Sequence, residues 1–562
     1  MHRCPELAPT LLDSSETGCY CFPGEPCWPT PSEWGAFNQT VGGQLIATIP
    51  IASPCHENDS FGPYDASACE ALQANWLFPR THYESSSSIM AEFYANQSCS
   101  PFLPPAARCI VGTYVQYSVR VQSSADIQKT IAFTTAHRIR LVIRNTAHDY
   151  LGKSTGAGAV AIWTHHLKDI EFSDYKSSAY SGKAIKVGAG VQIFEANSAA
   201  SKQGLIVVGG NCRTVGLAGG YTQGGGHGQL VSQFGLAADQ VLEWEVVTGT
   251  GELVTATPDN EYADLYWALS GGGGGTYGVA VSMVSKAYPE MKTATAILSF
   301  TSVGAAQKDF DDAVEIFFNQ TLGPLLDVRG ASVWFLARES FAMTPTTIPG
   351  GTKEQLQQIL DPVLVALNRS NIAYSYHIDE FPTFFSSFEN MSPDVNVTEY
   401  NLGGRFIPRS VLDSEPSALA ERFRRITDQD AAIAGISVNA SRSDQNNQIN
   451  SVSPAWRDAA IAVVVGTALS FTNQTVNIAN QRLVTDVLLP ELVALTPGGG
   501  AYLNEADPHQ PEWQSTFYGN NYNKLLAVKK KYDPQDVFYA LTAVGSEAWV
   551  ETMDGRLCRT GA

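Results

Sequence analysis

Two nucleophiles lie beside or inside glycine-rich stretches: His148 in Arg144-Asn-Thr-Ala-His-Asp149, just before Gly152, and Cys212 in Gly209-Gly-Asn-Cys-Arg-Thr-Val-Gly216. A deprotonated imidazole or thiol can each bond covalently to an electrophilic carbon. Two further clusters, Gly152–Ala159 and Ser270–Gly278, accompany them, and the Cys212 cluster runs on to Gly228. Glycine at this density weakens helices and strands, so it needs a local cause. The usual cause is a sharp turn, or bare N–H groups that approach phosphate or ring oxygens. One cluster alone reads as a flexible loop. Four of them between apolar runs point to a large, phosphate-bearing ligand.

The elements that must carry these loops follow from periodicity. Tyr114–Val121 alternates like a strand, Ser124 begins a helical pattern to about His137, and Arg140–Arg144 is a short β-branched run. Val160–Trp163, Ala184–Val187 and Ile206–Val208 read as strands, with a helix near Ile193–Lys202 and another segment at Asp264–Ala268. Beyond Lys292 the pattern is mixed. Helical segments are expected at Gln307–Gln320, Lys353–Leu367, Ala418–Asp428 and Ile478–Leu492, and strands at Ala331–Ala337, Ala373–Ile378 and Ala459–Ser470. This predicts an α+β chain, with an antiparallel sheet backed by helices over residues 293–496 and a hinge at Pro497-Gly-Gly-Gly500. No internal repeat stands out.

At 562 residues the chain needs two or three cores. Its net charge of −19 argues against nucleic acid as a partner. No apolar run approaches the roughly 20 residues that span a bilayer. No basic-then-apolar leader opens the chain, but Met1-His2-Arg3-Cys4 reads as a trimmed start, so this weighs little against secretion. Secretion is favoured by nine sequons, at Asn38, Asn58, Asn96, Asn319, Asn368, Asn390, Asn396, Asn439 and Asn473, which predict N-linked glycans. Eight of ten cysteines fall between Cys4 and Cys109, which predicts a disulfide framework in an irregular N-terminal extension. The spacing of Cys19, Cys21 and Cys27 fits no common zinc pattern, and no metal is expected. If Cys212 is spent on a cofactor, Cys558 is left as a partner or the odd cysteine; all ten can equally pair.

The four loops resemble the flavin domain of the vanillyl-alcohol oxidase / p-cresol methylhydroxylase (PCMH) superfamily, in its berberine-bridge-enzyme-like branch. Phe517–Phe538 (F-Y-G-N-N-Y-N-K-L-L-A-V-K-K-K-Y-D-P-Q-D-V-F) is similar to that branch's terminal segment. Within it, the chain looks most like secreted fungal oxidases of the isoamyl-alcohol-oxidase type. The resemblance is close over residues 105–290 and 500–550 and loose between. It implies a disulfide-rich extension (1–104), a PCMH-type FAD-binding domain (105–292), an α/β substrate cap (293–496) and a C-terminal segment (497–562) returning to the flavin. It also implies FAD attached twice: through His148 to the 8α carbon, and through Cys212 to C6. Two departures stand out: Ala147 replaces the family's Gly, and Arg213 replaces the Pro of its C-P-T-V-G. Val215 corresponds to a small residue that leaves room for O₂, which leans towards an oxidase. Cofactor contacts are expected from Arg144, Asn145, Thr146, Ala147, Asp149 and Ser154. Further contacts are expected from Gly216, Gly219, Gly220, Gly224, Gly225, Gly226, His227, Gly275 and Gly278, and from Asn521 and Tyr522.

Many relatives end a Y-x-N-Y segment with a tyrosine base; here the segment is Tyr502-Leu-Asn-Glu505. A partly desolvated carboxylate can do the same work, and Glu505 can equally be a solvated charge. His165 and His166 are rival bases, and Tyr114 and Tyr277 remain open. The implied reaction takes an alcohol proton to the base, a hydride to flavin N5 and both electrons to O₂, giving hydrogen peroxide. A small alcohol-type substrate and a monomeric enzyme are expected. Two readings stand beside this one: a carbohydrate oxidase or secondary-metabolite oxidase or desaturase on the same scaffold, and a secreted glycoprotein that has lost catalysis.

Overall fold

The computed structural model describes residues 18–57, 60–441 and 450–561. Its α+β architecture is built on three sheets. The first has the order Leu45–Ala47, Tyr117–Arg120, Val160–Trp163, Leu141–Arg144, the last three parallel. Val160–Trp163 is buried along its whole length, as a central parallel strand must be. The helix Ser124–Ala136 covers this sheet. Asp126 fixes its first turn by accepting from the Gln122 N–H and the Ser123 hydroxyl, and Ile127, Thr130, Ile131 and Thr134 form its buried stripe. The second sheet is antiparallel: Ile170–Lys176, Ser181–Gly188, Gly278–Lys286, Val241–Thr248, Leu253–Ala256.

The third sheet has seven antiparallel strands in the order Tyr374–Phe381, Thr293–Thr301, Ser340–Pro349, Ala331–Ala337, Ala432–Ser437, Ala459–Ala468, Tyr400–Pro408. Most of the helices cover one face; Phe384–Met391 packs on the other, where Ser387 meets Thr295 at 2.6 Å. Lys353–Arg369, capped by the Thr352 side chain, buries Leu356, Leu360, Val363 and Leu367 into this core. The opposite face of the sheet turns towards the glycine loops. Four of these strands, at 293–301, 340–349, 400–408 and 432–437, lie outside the strands expected from periodicity.

The C-terminal segment is sewn into the first sheet. Tyr522–Tyr532 is helical, and Phe538 then pairs in parallel with Leu141. Lys529 and Asp533 are 2 % and 0 % exposed and meet at 2.7 Å. Lys529 also donates to the carbonyls of Thr276 and Phe538, while Asp533 accepts from the N–H groups of Val537 and Phe538. Every strong group of this buried pair is thus bonded, the condition under which such a pair is tolerated. One of those bonds reaches the last glycine loop.

Disulfides join Cys21–Cys27, Cys55–Cys69, Cys99–Cys109 and Cys19–Cys558. Cys558 therefore pairs with Cys19 and is no partner for Cys212, which is free; Cys4 lies outside the described residues. In the extension, Glu92 is buried with Oε2 unbonded, and desolvation pushes its carboxyl up to about 8. Between the ordinary carboxyl range and pH 8 the unfolded chain carries this group ionised and the folded chain carries it protonated. Its contribution therefore falls as pH rises through that window.

Two outcomes follow for denaturant melts. Asp533→Asn leaves the Lys529 ammonium buried without its counter-charge and is expected to cost about 3–5 kcal/mol. Glu92→Gln is expected to match the parent protein at pH 5 and to exceed it increasingly towards pH 8. A constant difference across that range would place the Glu92 carboxyl in water.

Candidate active site

A cavity of about 1180 Å³ lies between the glycine loops and the open face of the seven-stranded sheet. Its walls come from the extension (Met90, Ala91, Phe93, Tyr94), the 145–154 loop, the 210–221 loop, Gly274, Gly275, Gly278, Tyr539 and the cap strands.

His148 and Cys212 meet on one wall. Cys212 Sγ lies 3.9 Å from His148 Nε2, and Thr214 Oγ1 bridges them at 2.7 Å from the imidazole and 3.7 Å from the sulfur. Burial pushes the thiol up, but the charge and hydrogen bond of His148, with bonds from Thr214, outweigh it and bring Cys212 down to about 7. The loop bearing His148 is held in shape at a cost. Ala147 sits at φ +62°, a conformation costing a non-glycine residue about 1–2 kcal/mol. Its carbonyl is met by the Met90 N–H at 3.4 Å, so the extension braces the position where the family prefers glycine. Asp149 lines the cavity, but its carboxylate is engaged by the N–H groups of Lys153 and Ser154, which shapes the next turn.

The glycines divide into two kinds. A side chain on Gly216 would strike the Asn145 amide at 2.7 Å, one on Gly224 the Asn504 amide at 2.4 Å, and one on Gly226 Ala237 at 2.7 Å. These glycines make room for protein. Gly220 and Gly275 face the cavity with no protein atom within 4 Å of where a Cβ would sit. They are bare towards open space, as a cradle for a bound group requires. The buried Oδ1 atoms of Asn145 and Asn211 have no protein partner, and both residues line the same cavity. Thr146, Ser154, Val215, Gly219, Gly278 and His227 line it too. The open glycines, the Thr146 and Ser154 hydroxyls and the two unmet acceptors fit a dinucleotide cofactor.

Several expected site residues lie elsewhere. Arg144 is buried, and its Nη2 donates to the carbonyls of His82, Ser85 and Ser88, tying the extension to the His148 loop. Gly224, Gly225 and Gly226 pack behind the wall, against Asn504, Trp456 and Tyr221. Asn521 donates to the carbonyls of Ser451 and Val452, and the Tyr522 hydroxyl bonds both oxygens of Glu547; neither reaches the cavity. Tyr114 is enclosed with Ile89 and the Cys99–Cys109 bridge. Tyr277 donates to the Gly272 carbonyl. In the Thr164–His166 turn only Thr164 reaches the wall, and burial, followed by Lys168, His166 and Arg144, drives His165 down to about 3. These four are not placed to take a proton from a ligand.

Glu505 is so placed. It faces the cavity with Oε1 held by His227 Nε2 at 2.9 Å, while its buried Oε2 has no protein partner. Segment 502–505 is docked from both sides: Asn504 donates to the Gly220 carbonyl and the Tyr502 hydroxyl, and the Glu505 carbonyl lies 1.9 Å from where a Cβ on Gly404 would be. Tyr150 stands within electrostatic reach of both centres: burial raises its phenol first, then Glu505 and Cys212. The pairing of His227 with Glu505 left no mark in the sequence, where 278 residues separate them. Arg213, in the place of the family proline, donates to the carbonyls of Phe388, Glu389 and Ser392, which end the Phe384–Met391 helix. It joins the Cys212 loop to the cap.

Comparison with known proteins gives the same picture. Residues 115–257 match the family described as an FAD binding domain, and residues 501–545 the one described as berberine and berberine like. The FAD-linked oxidoreductase sor8 of Hypocrea jecorina is 47% identical, with 99% of this chain and 96% of that protein aligned. The FAD-linked oxidoreductase patO of Aspergillus clavatus is 46% identical, over 97% of this chain and 95% of that protein. The crystal structure of the VAO-type flavoprotein MtVAO615 from Myceliophthora thermophila superposes with a TM-score of 0.90 at 38% identity, covering 96% of this chain and all of that one. The bare cradle, the terminal segment sewn beneath it and full-length relatives of this kind make the chain an FAD-linked oxidoreductase of the vanillyl-alcohol-oxidase type, in the berberine-bridge-like branch.

Proposed function

We propose that the protein is a secreted, glycosylated oxidase that holds FAD covalently through His148 and Cys212 and oxidises an alcohol-type substrate with O₂. The observation that carries this reading is Glu505, which lines the cavity and whose buried Oε2 has no protein partner. A substrate hydroxyl satisfies it, and an unmet buried acceptor costs about 1–3 kcal/mol. Bound FAD supplies the two-electron acceptor, taking a hydride from the substrate carbon and passing both electrons to O₂.

The chain supplies the rest. Glu505 takes the hydroxyl proton at Oε2, and His227 fixes the carboxylate through Oε1 and can share that proton. Gly404 and Asn504 hold the segment so that the acceptor does not swing away. Cys212, at about 7, is substantially thiolate at neutral pH, the form that attacks carbon. Thr214 orients the imidazole beside it. Val215 is small and lines the cavity, which suits access of O₂. Secretion is supported by four disulfides and by exposed sequon asparagines at Asn96, Asn319, Asn368, Asn390, Asn396 and Asn473; Asn58 lies outside the described residues.

The first test is the absorption spectrum of acid-precipitated protein. Yellow colour is expected to stay with the chain, to persist with altered bands in Cys212→Ala, and to wash away in the His148→Ala, Cys212→Ala double variant. Colour that washes from the parent protein would exclude a covalent link. Glu505→Gln is expected to keep full flavin content and lose about 10²–10⁴-fold in kcat. Unchanged turnover in that variant would remove Glu505 from the chemistry.

A further inference from the structure

The open face of the cap sheet carries an unbroken cross-strand row. Ser299 pairs with Ala342, Ala342 with Phe335, Phe335 with Ala434, Ala434 with Val464 and Val464 with Gly404. Register places these side chains on one face, because the alternate residues Trp334 and Leu336 are buried against the cap helices. Phe335 lies in a strand paired on both sides, yet 45% of its surface is open, and it lines the cavity. Alanine on either side leaves the ring standing clear. An aromatic ring left open on a cavity wall is surface for a ligand to cover.

The row has direction. Its Gly404 end abuts the backbone carbonyl of Glu505, the residue whose carboxylate His227 holds. Phe335 lies three strands away, and at about 4.8 Å per strand that is roughly 14 Å. Between them stand only Val464 and Ala434, with no hydrogen-bonding or charged side chain. Ser299, the one hydroxyl of the row, lies beyond Phe335.

We infer that the site takes an elongated apolar alcohol, its hydroxyl at Glu505 and its far end, aromatic or polyene, against Phe335, which selects for length and apolarity. This deepens the function proposed above and rests on Glu505 as the hydroxyl's partner. A sugar laid along the same row would leave hydroxyl groups facing Val464, Ala434 and Phe335 unpaired, at about 1–3 kcal/mol each.

The test is calorimetric titration of the purified flavoprotein with benzyl alcohol, 6-phenylhexan-1-ol and cellobiose. Benzyl alcohol is too short to reach Phe335 from Glu505 and reports on the Glu505 end alone. The parent protein is expected to bind the long probe at least tenfold more tightly than the short one. Phe335→Ala is expected to abolish that preference and leave benzyl alcohol unchanged, which also shows that the variant is folded. Should Phe335→Ala not fold, Phe335→Leu keeps most of the volume, removes the ring and is read by the same ratio. Tighter binding of cellobiose than of the long probe overturns the inference, as does a length preference that survives both variants. Glu505→Gln separates the two ideas: both alcohols are expected to weaken together. If they do not, while Phe335→Ala still acts on the long probe alone, the apolar row stands and the Glu505 anchor falls.

Discussion

The site hangs on one buried ion pair behind the cavity wall, bonded to the backbone of Phe538, which lines it. Lys529 and Asp533 leave water together, and their remaining hydrogen-bonding capacity is met by carbonyls and N–H groups of the same neighbourhood. That arrangement fixes three things at once: the end of the terminal helix, the turn that brings Phe538 beside Leu141, and the carbonyl of Thr276 in the last glycine loop. Gly275, one of the two glycines open to the cavity, is the neighbour of that threonine. A charge pair inside the protein is a costly device for stability alone. Here it registers a distant segment against the last glycine loop, which has no side chain at Gly275 to hold it.

A second constraint is closeness of backbone. Segment 502–505 carries Glu505, and it threads between Gly224 on the cradle side and Gly404 on the cap side. Both contacts are too near for any Cβ. Glu505 therefore belongs to neither half of the molecule, and its position records the spacing between them. Arg213 works on the same joint from the other direction, clasping the end of a cap helix with a residue adjacent to Cys212.

Much of the cradle was legible in the sequence, and much of the cap was not. Short β-branched runs between glycine clusters, such as Val160–Trp163, declare themselves because propensity, burial and turn chemistry agree there. The cap strands hide because local and global demands differ. Ser340–Pro349 contains Pro345, and Tyr400–Pro408 contains Gly403 and Gly404, residues that argue against a strand until the neighbours are known. Gly435 is explained only by the Trp334 indole that fills its place, about 100 residues away in sequence. The glycine motifs themselves were over-read. Most of Gly224–Gly226 serves packing, and the terminal pair Asn521–Tyr522 braces backbone and Glu547. A motif shows that a backbone must come close to something; only the fold shows to what.

The Cys19–Cys558 bridge has a topological meaning. It links positions 539 apart, so the polypeptide between Cys19 and Cys558 is a closed covalent ring. A single proteolytic cut anywhere on that ring opens it without releasing a fragment. The cradle, the cap and the segment 502–505 between them stay on one molecule, at an effective concentration that favours their return to register.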